Sequence, residues 1–167
     1  ALGSMYYLGA IEIEDINKIK NKKKKLKAKN KAIKYFKTYL TEAPTGRFAT
    51  YAIQKWLSLR VKLNNEDNLL IAKAYQANQD YKTARKYLAF TNLNSSWPYF
   101  VKNAYARKNY AEAKYYTELG VRGKGSDAIL INESIDDEAE NENVYGAIDI
   151  SLKISSAPKE AISYLLS

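Results

Sequence analysis

Ten lysines fall between Lys18 and Lys34 with no acidic residue among them, in a chain whose net charge is +9. A run this dense can hold the phosphates of nucleic acid, the headgroups of anionic lipid or the carboxylates of an acidic protein. The neighbouring residues narrow that choice. The run contains no arginine, and no aromatic before Tyr35, so bidentate base readout and base stacking lack their usual groups. Leu26 is the one bulky apolar residue in its densest part, too little for a helix that lies in a membrane surface. Lys22, Lys23, Lys24, Lys25, Lys27 and Lys29 form the candidate basic patch. It reads as a solvated helix face or loop, or functionally as a docking surface for acidic segments of a protein partner. Polyanion binding through Lys18–Lys34 is kept as an alternative, with nucleic acid and membrane the less favoured partners.

The opposite charge gathers at Glu133, Asp136, Asp137, Glu138, Glu140 and Glu142. Carboxylates at this density could take a cation, but the Asp-x-Asp-x-Asp-Gly order of a calcium loop is missing. A solvated linker is the expectation, with no metal and no cofactor. Segments of opposite sign also suggest head-to-tail association. The chain has no cysteine and no histidine. Disulfides, thiolate metal sites, Ser-His-Asp triads and Cys-His dyads are therefore excluded within it. Glu133-Ser134 stands in acidic surroundings without the aromatic, glycine-rich context of a lysozyme-like site. No catalytic residue is expected, and the chain reads as a non-enzyme.

The spacing of apolar residues supplies the elements that position these groups. Helical periodicity predicts a helix from Tyr6 to about Lys20 on Tyr7, Leu8, Ile11, Ile16 and Ile19. It predicts another over Ala32–Leu40, and a third over Arg47–Lys62 with Phe48, Tyr51, Ala52, Trp56, Leu57 and Leu59. A fourth covers Glu66–Ala77 with Leu70, Ile71, Ala74 and Tyr75 buried. Asp80 and Asn109 are N-caps of two more helices, Ser95 or Ser96 of another, and Gly120 is a C-terminal αL residue. Ser126–Ile135, Val144–Ile154 and a last helix opened by Pro158 bring the count to nine or ten, with no strand. The fold class is all-α. Ala1–Met5 reads as an expression scar, and residues 6–167 as one helical segment of a longer protein. No stretch reaches the roughly 18 apolar residues of a membrane span.

Tyr-x-x-Ala occurs at two predicted helix starts, Tyr81–Ala84 and Tyr110–Ala113. With Leu69, Leu70, Tyr75 and Leu88, and with Trp97, Phe100 and Val101, these residues resemble the tetratricopeptide repeat (TPR) family. Ala32, Phe36, Tyr39 and Pro44 match half of another copy. Tyr145, Ile148, Leu152, Ala161 and Leu165 match a fourth, with Pro158 in the tyrosine place. The packing alanines Ala32, Ala84, Ala113 and Ala161 are unevenly spaced, so the resemblance implies an irregular α-solenoid of antiparallel hairpins. It implies a non-catalytic scaffold for protein–protein interaction, and it is closest to the periplasmic flagellar-motor scaffolds of the paralysed-flagellum type, which weakly favours the periplasm. The superhelical accessory domain of soluble lytic transglycosylases is the competing resemblance. Carried onto this chain, the family's groove positions fall at Glu66, Lys73 and Gln76 and at Lys102 and Tyr105. Tyr99, Tyr105, Tyr115 and Tyr116 are further interface candidates, while Tyr39, Tyr75, Tyr81 and Tyr110 are assigned to packing.

Overall fold

The computed structural model describes residues 2–121, and all their regular elements are α-helices. Seven helices follow one another among the described residues: α1 (Leu2–Ile16), α2 (Lys22–Glu42), α3 (Ala49–Ser58), α4 (Asn65–Ala77), α5 (Tyr81–Leu88), α6 (Leu93–Ala106) and α7 (Tyr110–Val121). They answer one for one to the helices expected up to Leu119. The expected joint at Gly123–Gly125, the helices beyond it, the acidic segment and the fourth repeat copy lie outside the described residues. The chain divides into two compact units, Ala1–Tyr87 and Leu88–Ser167.

In the first unit α2 is central, packing against α1, α3 and α4. Asn21 starts it by accepting the Lys24 backbone N–H on its side chain at 3.0 Å, so the lysine run is helical from Lys22 onward. Ala32, Ile33, Phe36, Tyr39 and Leu40 are buried, three and four residues apart on one face. The helix ends where Ala43 leaves helical geometry ahead of Pro44, whose ring disfavours the helical region for the residue before it.

The face that α1 turns inward differs from the expected one. Tyr7, Leu8 and Ile11 are exposed, whereas Met5, Tyr6, Ile13 and Ile16 pack on the core. Gly9 explains the rotation. A Cβ there would lie 2.6 Å from the Phe36 ring, so the bare backbone is what lets α1 close onto α2. Tyr6 then stacks on Phe48, ring centres 4.5 Å apart, and the Tyr39 hydroxyl accepts the Phe48 N–H at 3.0 Å.

α3 buries Ala49, Ala52, Ile53 and Trp56 and leaves Tyr51 exposed, against expectation. It stops at Ser58, short of the expected Lys62, because Arg60 turns left-handed at φ 52°. The Lys29 ammonium donates to the Leu59 carbonyl at 2.7 Å, a cation on a helix C-terminus. α4 opens with a capping box: Asn64 accepts from the Asp67 N–H at 2.8 Å, and Asp67 accepts from the Asn64 N–H at 3.1 Å. The free oxygen of buried Asp67 meets the Lys37 ammonium, which also stands over the Trp56 ring at 5.3 Å. One lysine thus ties α2 to both α3 and α4.

In the second unit Trp97, Val101, Ala104 and Ala113 form the core between α6 and α7. α6 begins ahead of the expected serine cap. Ser96 is buried inside it, donates to the Asn92 carbonyl at 2.8 Å and shares a hydrogen bond with Thr91. Gly120 is also not a terminator, since α7 continues through it to Val121. A Cβ at Gly120 would lie 2.5 Å from the Trp97 indole, so this glycine too marks close approach.

The α4–α5 and α6–α7 turns share one hydrogen-bond pattern, 29 residues apart. Gln79 and Lys108 are left-handed, at φ 63° and 58°. Asp80 N–H reaches the Tyr75 carbonyl at 3.0 Å, and Asn109 N–H the Ala104 carbonyl at 2.9 Å. Each pairing is the Schellman closure of a helix C-terminus. The same two residues then cap the following helix, Asp80 accepting from Thr83 N–H and Asn109 from Glu112 N–H. Ala84 and Ala113, one turn on, are fully buried.

Two predictions follow from this packing. Gly9→Ala and Gly120→Ala should each cost about 1–3 kcal/mol in urea unfolding, overpacking exceeding the helix-propensity gain of roughly 1 kcal/mol. A neutral or stabilising result would show that the rings shift freely. Lys37→Met should cost about 1–2 kcal/mol, less than a fully buried pair because the ammonium is partly exposed. In a double-mutant cycle with Asp67→Ala the two losses should sum to more than the double variant shows.

Candidate protein-interaction surfaces

Burial of Ala32, Phe36, Tyr39 and Leu40 fixes which lysines of α2 face out. Lys23, Lys24, Lys27, Lys31 and Lys34 occupy the opposite, exposed side. The expected patch therefore divides. Lys22, Lys23, Lys24 and Lys27 are exposed, whereas Lys25 and Lys29 are half-buried at the inner edge, with Lys29 engaged on α3. Lys31 pairs with Glu12 of α1. Lys34 joins the outer face although it lies outside the densest part of the run. No acidic residue sits in the first turn of α2. Cations at the positive end of a helix cost roughly 0.3–1 kcal/mol each at low salt, and like charges four apart add a few tenths. The first unit carries 19 basic and 7 acidic residues.

The groove candidates fall into two sets. Glu66, Lys73 and Gln76 lie on α4, Glu66 exposed in the first turn and the other two half-buried. Lys102 and Tyr105 lie on α6, both half-buried. Burial pushes the Lys73 and Lys102 ammonium groups below the ordinary lysine value, because a charge loses hydration there. Tyr105 turns toward the α6–α7 core and meets Tyr110 edge-on, ring centres 5.6 Å apart. Tyr99 is buried, a correction to its place among the interface tyrosines, and Tyr116 packs on Phe100. Tyr115 is the exposed member of that group.

The sequence reading missed the exposed apolar row Tyr7, Leu8 and Ile11, 55%, 40% and 55% accessible, because it assigned these residues to the core. The glycine at position 9 was the signal that could have found it. Among the described residues no helix is long and apolar enough to cross a membrane.

No family model, curated protein or solved structure matches this chain. The geometry defines a class, an all-helical arrangement among the described residues, with charged and apolar groups on helix faces.

The Tyr75 and Tyr87 rings stack 5.7 Å apart, and burial raises both phenols above the ordinary value of 10.0. The folded chain therefore keeps protons that the unfolded chain releases. Their stabilisation is complete below pH 10 and is lost as pH rises through the folded values. Tyr87→Phe should move the alkaline unfolding midpoint upward, read by far-UV circular dichroism. An unchanged or lower midpoint would contradict this assignment.

Proposed function

We propose that this chain is a non-catalytic scaffold, a TPR-like segment of an irregular α-solenoid that holds other proteins in a bacterial envelope assembly such as the flagellar motor. The observation that carries the reading is the turn repeated after 29 residues. A left-handed residue at the same place, the same Schellman closure and the same buried alanine recur at Gln79–Ala84 and Lys108–Ala113. A helix pair cannot bury its apolar face alone, and stacked pairs present side chains along outward faces. Those faces suit extended contact with a polypeptide. The absence of histidine and cysteine from the sequence agrees with binding by surface complementarity.

The test is affinity capture from a native envelope extract with identification by mass spectrometry. Motor or secretion components should be enriched over a scrambled-surface control. Retention of sacculus fragments in their place would overturn the scaffold reading in favour of a substrate-embracing accessory to a peptidoglycan lytic enzyme.

A further inference from the structure

We propose that the outer face of α2 is a docking site for an acidic polypeptide, with carboxylates of a partner protein lying along Lys23, Lys24, Lys27, Lys31 and Lys34. This deepens the scaffold reading and rests on it for the partner being a protein.

Four observations converge. First, the cations stand where folding disfavours them. Lys22 to Lys25 occupy the first turn, at the positive pole of α2, and no acid there offsets them. Lys23, Lys27 and Lys31 follow at intervals of four, so like charges are neighbours. Second, the fold compensates Lys31 alone among the five. Within the first unit Asp15 pairs with Lys18, Glu12 with Lys31 and Asp67 with Lys37, while Lys23, Lys24, Lys27 and Lys34 make no ion pair among the described residues. Lys29 and Lys37 reach toward α3 and α4, and Lys31 pairs with Glu12 of α1, while Lys23, Lys24, Lys27 and Lys34 are exposed on the outer side.

Third, the array is pre-organised. The opposite side of α2 is locked by Phe36 against Gly9 and by the Lys37 junction, so docking need not order the backbone. The helical rise sets Lys23 and Lys27 about 6 Å apart along the axis, and Lys27 and Lys34 about 10 Å. Carboxylates four and seven residues apart on a partner helix, or two apart on an extended strand, repeat at similar intervals. Fourth, the side chains fit carboxylate best. Lysine is a point charge without arginine's fork for phosphate, and a single half-buried aromatic, Tyr35 one turn beyond Lys31, is too little for a row of stacked bases. Leu26 alone is exposed as a large apolar residue on α2, which gives a bilayer nothing to hold.

The experiment is fluorescence anisotropy on the full chain at about 50 mM salt, where surface charges are weakly screened. The ligand is a labelled peptide of about 16 residues with glutamate at every fourth position and alanine elsewhere, an ideal repeat of one helical face. Its glutamine counterpart, a labelled single-stranded DNA and vesicles containing phosphatidylserine are run beside it. The wild-type chain should bind the glutamate peptide and not the glutamine one. The triple variant Lys23→Glu, Lys27→Glu, Lys34→Glu should lose at least about tenfold in affinity, the loss expected for several charge contacts. Its melting temperature should hold or rise, because acids suit a helix start. The control Lys62→Glu, Lys82→Glu, Lys86→Glu changes net charge equally on exposed residues elsewhere, and should lose less than about threefold.

Equal loss in both variants, or no binding of the glutamate peptide, overturns the proposal. So does tighter binding of DNA or vesicles through the same three lysines, which would mark a polyanion site. Failure here with successful envelope capture would leave the scaffold standing and the α2 face idle. Peptide binding with failed capture would leave the face standing without the scaffold.

Discussion

The Phe36 ring lies where a side chain at position 9 would have to be, and the first unit depends on that closeness. Phe36 is fully buried, and Ala32 and Leu40 one turn to either side are buried with it. Once Gly9 admits the ring, the rotation of α2 about its own axis is set. That rotation decides the fate of each lysine, because a helix that buries one side must expose the other. A larger residue at position 9 would therefore disturb more than one contact. It would change the angle at which the cationic face meets solvent.

Chemically identical residues consequently serve different ends. Lys29 lies one turn before the buried face begins and closes the end of α3 through the Leu59 carbonyl. Lys37 bridges Trp56 and Asp67, and so ties the capping box of α4 to the centre of the unit. Asp67 is buried with one oxygen on Asn64 and the other on this ammonium, an arrangement that needs both partners present. Asn78 adds a neutral tie, donating to the Pro44 carbonyl at 2.7 Å and joining the end of α4 to the α2–α3 turn. Lys31 adds a tie to Glu12 of α1, and the concentration of lysines at the N-terminal pole of α2 weighs against the helix that carries them.

The helices themselves were legible, because 3.6-residue periodicity and polar caps leave a local record. Asp80 and Asn109 cap as their side chains demand, and Ile71 and Ala74 face inward on α4. The face of α1 was not legible. Apolar residues surround that helix, with Tyr7, Leu8 and Ile11 competing against Met5, Tyr6, Ile13 and Ile16, so periodicity has no single answer. Glycine decided it, and glycine adds nothing to a hydrophobic pattern. The same blindness led Gly120 to be read as a left-handed terminator. A residue without a Cβ serves both conformational freedom and close approach, and only the neighbouring Trp97 ring distinguishes them. For the basic patch, composition showed the charge, while the division between Lys25 and Lys29 on one side and Lys23, Lys24 and Lys27 on the other required the helix to be placed.

The repeated turn shows why its sequence signature lies after the corner instead of at it. A left-handed residue is usually glycine, yet this chain puts Gln79 and Lys108 there, at a cost of about 1 kcal/mol each. Each turn is held on both sides of the strained residue. The preceding helix closes through two backbone bonds, Gln79 to Gln76 with Asp80 to Tyr75, and Lys108 to Tyr105 with Asn109 to Ala104. The following helix opens on a side-chain cap from that last residue. With so many constraints the corner holds its left-handed conformation with Gln79 in one copy and Lys108 in the other. The residue four positions beyond the cap is alanine and fully buried in both cases, because the helices leave no room there for a larger side chain. Tyr-x-x-Ala therefore marks in the sequence a corner whose own left-handed residue differs between the two copies.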